Sequence, residues 1–357
     1  MTRPLRIALI ASARFPIREP FAGGLEAHTW VLAAALRSRG HRVALFAAPG
    51  SDPALGVCEL PVHTPRLSDA ARADLSMTDP LALAEHHAYL RLMLDLSPSR
   101  GGVSYDVVHN NSLHYLPIAM ASSVPAPVVT TLHTPPTPWM ESAIQADATG
   151  SVVFTAVSAH TARAWRPLVT AARVVRNGVD VRRWPVGPGG GGLVWYGRIV
   201  PEKGPALAIA AAEAAGLPLT LAGPVTDRPY FRDRVLPRLG SRIRYAGHLA
   251  GAELAALVGS ASATLVTPCW DEPYGLVVAE SLACGTPVCG FDRGALGEIL
   301  TPDCGRLVPY PDVQALTAAI AEARTLSRRA CRERAESFCS VGHMTDRYEA
   351  LYEELLS

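Results

Sequence analysis

The sequence predicts an α/β protein built from two doubly wound, Rossmann-like domains. Three observations carry that expectation. Short apolar, β-branched runs alternate with helical stretches, the alternation stops at a glycine–proline tract and then restarts, and 357 residues exceed what one hydrophobic core usually organises.

The first half opens with a strand at Arg6–Ala11, a long loop reaching Gly23-Gly24, and a helix from about Leu25 to Arg39 that Gly40 ends. A strand at Arg42–Ala47 follows. Further strand runs at Val107–His109, Val128–Leu132, Val152–Val157 and Val174–Val175 alternate with helical stretches such as Pro80–Leu96 and Ala159–Val169. Pro185–Gly192, PVGPGGGG, cannot form a core of its own and reads as a flexible interdomain linker. The second half has strands at Leu193–Tyr196, Leu219–Ala222, Ile243–Ala246, Ala263–Val266 and Pro287–Phe291. Between them lie helices at Lys203–Ala215, Tyr230–Leu239, Gly251–Ser260 and Gly275–Ala283. Helices near Val313–Ala323, Ser327–Ser337 and Val341–Leu355 close the chain. The expected division is therefore residues 1–185, a linker at 186–192, a second domain at 193–340, and a last helix within 341–357.

A net charge of +1 offers no basic field for nucleic acid or for strong electrostatic attachment to a membrane, though a lipid acceptor and peripheral membrane contact stay open. Met1 leads directly into the first strand, with no signal-peptide core and no apolar run long enough to span a bilayer, so a cytoplasmic location is expected. The seven cysteines include no C-x-x-C pair and no zinc spacing, and they read as reduced, mostly buried thiols. Of 33 basic residues only Lys203 is lysine, which hints at a position where a compact ammonium is needed.

The most informative stretch is Thr267–Gly290, TPCWDEPYGLVVAESLACGTPVCG. Glu280 falls in a helix that is apolar on most faces, where an unpaired carboxylate is strongly disfavoured. The vicinal hydroxyls of a ribose would supply it with two donors. Glu272 sits eight residues earlier, before Pro273, and the amides of Gly275, Leu276 and Val277 open the new helix and favour an anion. One segment would thus hold a ribose, a phosphate and a further sugar hydroxyl.

This segment resembles the E-x7-E signature of the family-four retaining glycosyltransferases of GT-B fold, through E-P-Y-G-L followed by E-S-L-A-C-G-T-P-V. The resemblance implies two Rossmann-like domains facing a central cleft, with the last helix crossing back to the first domain. It covers nearly the whole chain and thins between Pro53 and Arg100, on the expected acceptor side. Donor-binding residues on this reading are Glu272, Tyr274, Gly275, Leu276, Val277 and Glu280.

Arg198 and Lys203, in Y-G-R-I-V-P-E-K-G, leave the first strand of the second domain on opposite sides of a proline turn. Two cations beside helix amides make a diphosphate clamp, and the resembled family uses the same R-x4-K arrangement. A surface ion pair of Arg198 with Glu202 is the plainer alternative. Gly23 and Gly24 allow backbone amides to approach a phosphate or sugar closely, and G-G-L-E-A-H-T-W resembles the family's first-domain glycine loop. His133 ends a strand and precedes the stiff loop T-P-P-T-P. Its position resembles that of the family's cleft histidine, which contacts the donor sugar. His109, Asn111 and His114 are weaker acceptor-side candidates that could equally cap a helix. Asn177–Asp180 matches a junction turn with a structural role, and Arg293–Ile299, ending near Glu298, departs from the family's glycine pair and is left outside the site.

No D-x-D motif occurs, so the resemblance implies metal-independent transfer in which Arg198 and Lys203 neutralise the diphosphate, with no cofactor. The catalytic set on this reading is Glu272, His133, Arg198 and Lys203. The substrates are a nucleoside-diphosphate hexose, UDP favoured and GDP possible, and a hydroxyl acceptor that is a glycan, lipid-linked or a small metabolite. Rivals are a nucleotide-sugar epimerase of the same fold and a non-catalytic nucleotide-sugar-binding protein. A pyridoxal phosphate phosphorylase is disfavoured because the only lysine is committed to the clamp.

Overall fold

The computed structural model describes residues 3–76, 79–98, 103–147 and 149–357; Met1 and Arg100, named above, lie outside them. The first sheet comprises β1 (Arg6–Ile10), β2 (Arg42–Ala47), β3 (Val57–Glu59), β4 (Val107–Asn110), β5 (Val128–Leu132), β6 (Val152–Ala156) and β7 (Arg173–Val174), in the spatial order β3-β2-β1-β4-β5-β6-β7. The second comprises β8 (Leu193–Tyr196), β9 (Leu219–Ala222), β10 (Ile243–Tyr245), β11 (Ala263–Val266), β12 (Val288–Phe291) and β13 (Gly305–Val308), in the order β10-β9-β8-β11-β12-β13. The strand pairs are parallel. Each order reverses direction once, between β1 and β4 and between β8 and β11, and such switch points are where α/β sheets bind ligands beyond their strand ends.

The helices of the first half are α1 (Gly24–Ser38), α2 (Asp69–Arg72), α3 (Pro80–Leu96), α4 (Leu116–Ala119), α5 (Pro138–Ala146) and α6 (Ala159–Trp165). Those of the second are α7 (Pro205–Ala214), α8 (Arg228–Tyr230), α9 (Gly251–Ser260), α10 (Leu276–Ala283), α11 (Leu296–Ile299), α12 (Val313–Ala323), α13 (Arg328–Phe338) and α14 (Val341–Leu356). Fully buried β-strands read as near-continuous apolar runs, which is why β8 and β11 stood out. The three-residue β3 and the edge strand β13 lack such a run.

Two sequence expectations are corrected. The helix expected over Tyr230–Leu239 is broken into α8, a π turn at Phe231–Val235 and a 3-10 turn at Leu236–Arg238, because Pro237 has no N–H to continue the helical ladder. The stretch Pro185–Gly192 is not a free tether. Amides of Gly187, Gly189 and Gly191 bond to the carbonyls of Cys284, Gly259 and Ser260, and a Cβ added at Gly187 would lie 2.4 Å from the Gly259 backbone. The Arg328 guanidinium ties the same corner by donating to the Gly259, Ala261 and Cys284 carbonyls. These glycines serve close approach rather than flexibility.

The α14 helix belongs to the first domain. Met344, Tyr348, Leu351 and Tyr352 join one buried cluster with Leu9, Leu32, Leu36 and Val129. All seven cysteines are free and five are buried. No helix of the described residues is long and apolar enough to cross a membrane.

Candidate functional site

Between the two sheets lies a cleft of about 850 Å³ lined by the residues of the expected catalytic and donor-binding sets, Gly23, Gly24, His133, Arg198, Lys203, Glu272, Tyr274, Gly275, Leu276, Val277 and Glu280; the weaker candidates His109, Asn111 and His114 are not in its lining. On the second-domain wall the loops leaving β8 and β11 are bound to each other. A 3-10 turn at Pro201–Lys203 ends in Gly204, whose φ of 65° turns the chain so closely against Thr267 that an added Cβ would sit 2.1 Å from its carbonyl oxygen. The Thr267 hydroxyl donates to the Gly204 carbonyl at 2.8 Å, and the Cys269 amide donates to the Glu202 carbonyl at 2.8 Å. This locks Lys203 beside Glu272. Its Nζ lies 2.9 and 2.6 Å from the two carboxylate oxygens, Trp270 Nε1 donates to Oε2 at 3.0 Å, and the ammonium stands 4.9 Å from the Trp270 ring centre.

Arg198 makes the surface pair with Glu202 that their spacing allows, at 3.5 Å with both side chains about 40% exposed. So open a pair contributes little, and it leaves the guanidinium on the cleft wall available to a ligand. At the start of α10, Gly275 adopts φ 99°, and an added Cβ would strike Leu296 at 2.5 Å. The first-turn amides of an α-helix have no partner within it, and Gly275, Leu276 and Val277, which carry them at the start of α10, line the cleft. Glu280 follows one turn later. Burial pushes its carboxyl up to about 7, against the pull of the neighbouring Tyr196 hydroxyl, which itself donates to the Val277 carbonyl at 2.8 Å. Tyr274 supports the loop from behind: its ring is 3% exposed, in one buried cluster with Val278, Leu296 and Ile299.

The first-domain wall is made differently. Gly23 and Gly24 open α1, and a Cβ on Gly24 would meet the Leu276 side chain at 3.3 Å, so the N-termini of α1 and α10 face each other. His133, past the end of β5, donates from Nε2 to Asn111 Oδ1 at 2.8 Å, which leaves Nδ1 as the acceptor of the neutral ring. Burial holds it well below the ordinary histidine value. His109 is withdrawn from the site altogether. It is fully buried, with Nδ1 2.6 Å from the Tyr352 hydroxyl and Nε2 2.8 Å from Thr131 Oγ1. His114 takes the capping role, accepting from the Leu116 amide at 3.2 Å at the start of α4.

Two cleft groups that the motifs do not single out are Glu26 and His28. Glu26 is 5% exposed on the first turn of α1, and burial raises its carboxyl while its own amide and Arg198 across the cleft oppose the rise. A glutamate three residues into a helix that follows Gly-Gly was the available signal. His28 packs edge-on against His133 with ring centres 4.9 Å apart; neither of its nitrogens has a hydrogen-bond partner among the described residues, and burial lowers it to about 4.

The walls are held in register by contacts between domains. Glu298 accepts from the Ala159 and His160 amides at 3.0 and 2.7 Å, capping α6 from the opposite domain, and lies 3.3 Å from Arg176. Ser158 and Thr161 hydroxyls donate to the Pro273 carbonyl at 2.6 and 3.1 Å, which fixes the loop carrying Glu272. At the other edge Glu19 pairs with Arg183, and His248 Nε2 bonds the Phe21 carbonyl at 3.0 Å.

Comparison with known proteins gives two family matches, Glycosyltransferase Family 4 over residues 22–183 and Glycosyl transferases group 1 over residues 191–338. Similar proteins include the glycogen synthase of Mycobacterium tuberculosis (strain ATCC 25618 / H37Rv), 29% identical over 343 residues, covering 84% of this chain and 81% of that protein. A phosphatidyl-myo-inositol mannosyltransferase of Mycolicibacterium smegmatis is 24% identical over 336 residues, covering 88% and 84%. Among solved structures, a glycosyltransferase of avilamycin A biosynthesis superposes with a TM-score of 0.71 at 24% identity, covering 99% and 98%. Anabaena HepE in complex with UDP-glucose superposes with a TM-score of 0.75 at 17% identity, covering 98% and 100%.

Proposed function

We propose that this chain, which belongs to the family 4 glycosyltransferases of GT-B fold, moves a hexose from a nucleoside-diphosphate sugar to a hydroxyl acceptor, with retention of configuration and without a metal ion. The observation that carries the proposal is the convergence of Arg198, Lys203, Glu272, Glu280 and the opening turn of α10 on one cleft wall. That set matches the parts of a sugar nucleotide: Glu280 for the ribose, the amides and two cations for the diphosphate, Glu272 for the sugar. Relatives named glycogen synthase and mannosyltransferase support a hexose. UDP is the first choice of nucleotide because it is the common donor nucleotide of the resembled family.

In the proposed step the bond from the sugar's anomeric carbon to the phosphate oxygen breaks and its electron pair stays on that oxygen. The acceptor hydroxyl attacks the same face, and its proton passes to the leaving phosphate, giving nucleoside diphosphate and a glycoside. Charge grows on the phosphate as the bond breaks, so a preorganised cationic pocket stabilises the transition state more than the ground state. Glu272, gripped by Lys203 and Trp270, orients the sugar and offsets its positive charge. His133 supplies a neutral imidazole beside it.

Thermal unfolding in EDTA with UDP-, GDP- and ADP-glucose tests the reading. A donor at a hundred times its Kd adds about 2.7 kcal/mol to stability. UDP-glucose is expected to give the largest shift, unchanged by added Mn²⁺ or Mg²⁺. No shift with any nucleotide sugar, or a shift only with metal, would overturn it.

A further inference from the structure

We infer that a column of four stacked rings at the rim of the cleft is a shelf for a pyranose ring of the acceptor, so that the acceptor is itself a glycoside; this rests on the transferase reading above. The column starts in the core at Tyr89, 3% exposed, whose hydroxyl donates to the Ala11 carbonyl and accepts from the Ala13 amide, each at 3.0 Å. His114 lies on Tyr89 with ring centres 4.2 Å apart and planes 15° apart. Tyr115 lies on His114 at 4.7 Å and 21°, and Trp139 on Tyr115 at 5.1 Å and 20°. His86 fixes Tyr115 through Nδ1, 2.6 Å from the hydroxyl.

Trp139 is 68% exposed, so the outer face of its indole is open. A lone exposed aromatic needs no explanation. This one ends a stack that sets its angle and continues into the cleft wall. Leu113, beside His114, lines the cleft, as do His133 and Thr134, from which Pro135, Pro136 and Pro138 lead stiffly to Trp139. Arg14, also on the cleft wall, pairs with Glu85 on α3 at 2.6 Å.

A pyranose offers one face of C–H hydrogens, which suits the electron-rich face of an indole, and a rim of hydroxyls that need polar partners. Polar groups accompany the stack in the Arg14–Glu85 pair and in His86, which meets the Tyr115 hydroxyl. Burial lowers His114 to about 4, and Arg14 is paired with Glu85, so neither adds an unpaired charge to the stack. That suits a neutral sugar rather than a phosphate.

The test titrates the whole chain, saturated with UDP, with maltotriose, methyl α-mannoside and methyl β-galactoside, read by saturation-transfer NMR and tryptophan fluorescence. Trp139→Ala is expected to weaken saccharide binding about tenfold, and Trp139→Phe to keep most of it. Loss of the UDP thermal shift in the wild type would strike the transferase reading, independently of the shelf. With that shift intact, wild type that binds none of the three saccharides, or Trp139→Ala that binds them equally well, overturns the shelf. Release of Trp139→Ala from phosphatidylglycerol vesicles with saccharide binding unchanged overturns it too, and assigns the ring to a membrane.

Discussion

The two walls of the cleft solve opposite problems with opposite materials. The second-domain wall is charged: Arg198, Lys203, Glu272 and Glu280 surround the start of one helix, and the ion pairs they make are ones a ligand can exchange for its own groups. The first-domain wall is neutral around His133, with Arg14 and Glu26 lining the cleft elsewhere. Burial holds His28 at about 4 and His133 well below its usual value, and outside the cleft lining it lowers His114 to about 4 and His109 to about 3. The contrast fits a division of labour in which one wall meets a leaving group that gains charge and the other a hydroxyl that begins uncharged.

If that division is right, the largest loss comes from disturbing the charged wall without changing its charge. Lys203→Arg is expected to lower turnover by about 10²–10³, more than it lowers donor affinity, because the longer, planar guanidinium would fork onto Glu272 and move the point charge that the compact ammonium holds for the diphosphate. Steady-state kinetics that show wild-type turnover would break the comparison at its strongest point.

The contact holding the walls in register comes next. Glu298→Ala removes the acceptor for two amides and the partner of Arg176, and should cost about 1–3 kcal/mol in chemical denaturation. Unaltered stability would mean that the walls do not depend on this clamp.

A smaller effect separates the walls by pH. Glu280 is raised by burial from 4.5 to about 7, so the native state binds its proton more tightly than the unfolded chain does. Its contribution to native stability is fully present below pH 4.5 and is lost as pH rises through 7. Ribose binding needs the carboxylate, so affinity for UDP-glucose should fall about tenfold per unit below pH 7. UDP-glucose suits the measurement because its diphosphate, a diester, keeps its charge over this range. Calorimetry on Glu280→Gln should give a flat profile; a slope that survives in the variant would assign the titration elsewhere.

The smallest expected change lies behind the neutral wall. Tyr352→Phe deletes one buried hydrogen bond to His109 and should lower stability by about 1 kcal/mol, leaving the UDP thermal shift as it was. A loss of UDP binding would show that the walls are coupled through the core.

The same contrast explains what the sequence made legible. The charged wall draws on two short windows, Arg198–Lys203 and Glu272–Glu280, so spacing alone displayed its charges and its helix start. The neutral wall is assembled across distance. His109 looks like a free strand-end histidine until Tyr352, far along the chain, closes on it. Glu26 is an ordinary first-turn carboxylate until the fold buries it and brings Arg198 near. Glu298, set aside on local pattern, has a partner set that lies wholly in the other half. The sheets followed from β-branched runs, whereas β3 and β13 depend on a neighbouring strand more than on their own residues. The glycines of Pro185–Gly192 suggested freedom because the Gly259 backbone and the Arg328 fork that require them are remote.

The return of α14 sets the order in which the molecule can be made. A ribosome delivers β1 through β7 first, yet the core beneath them lacks Met344, Tyr348 and Tyr352 until the whole second domain has been made. The second domain, contiguous from β8 to α13, has all its parts earlier. The half translated first is therefore finished last, and nascent chains arrested before residue 341 should carry a protease-resistant second domain behind a first domain that is still cleavable.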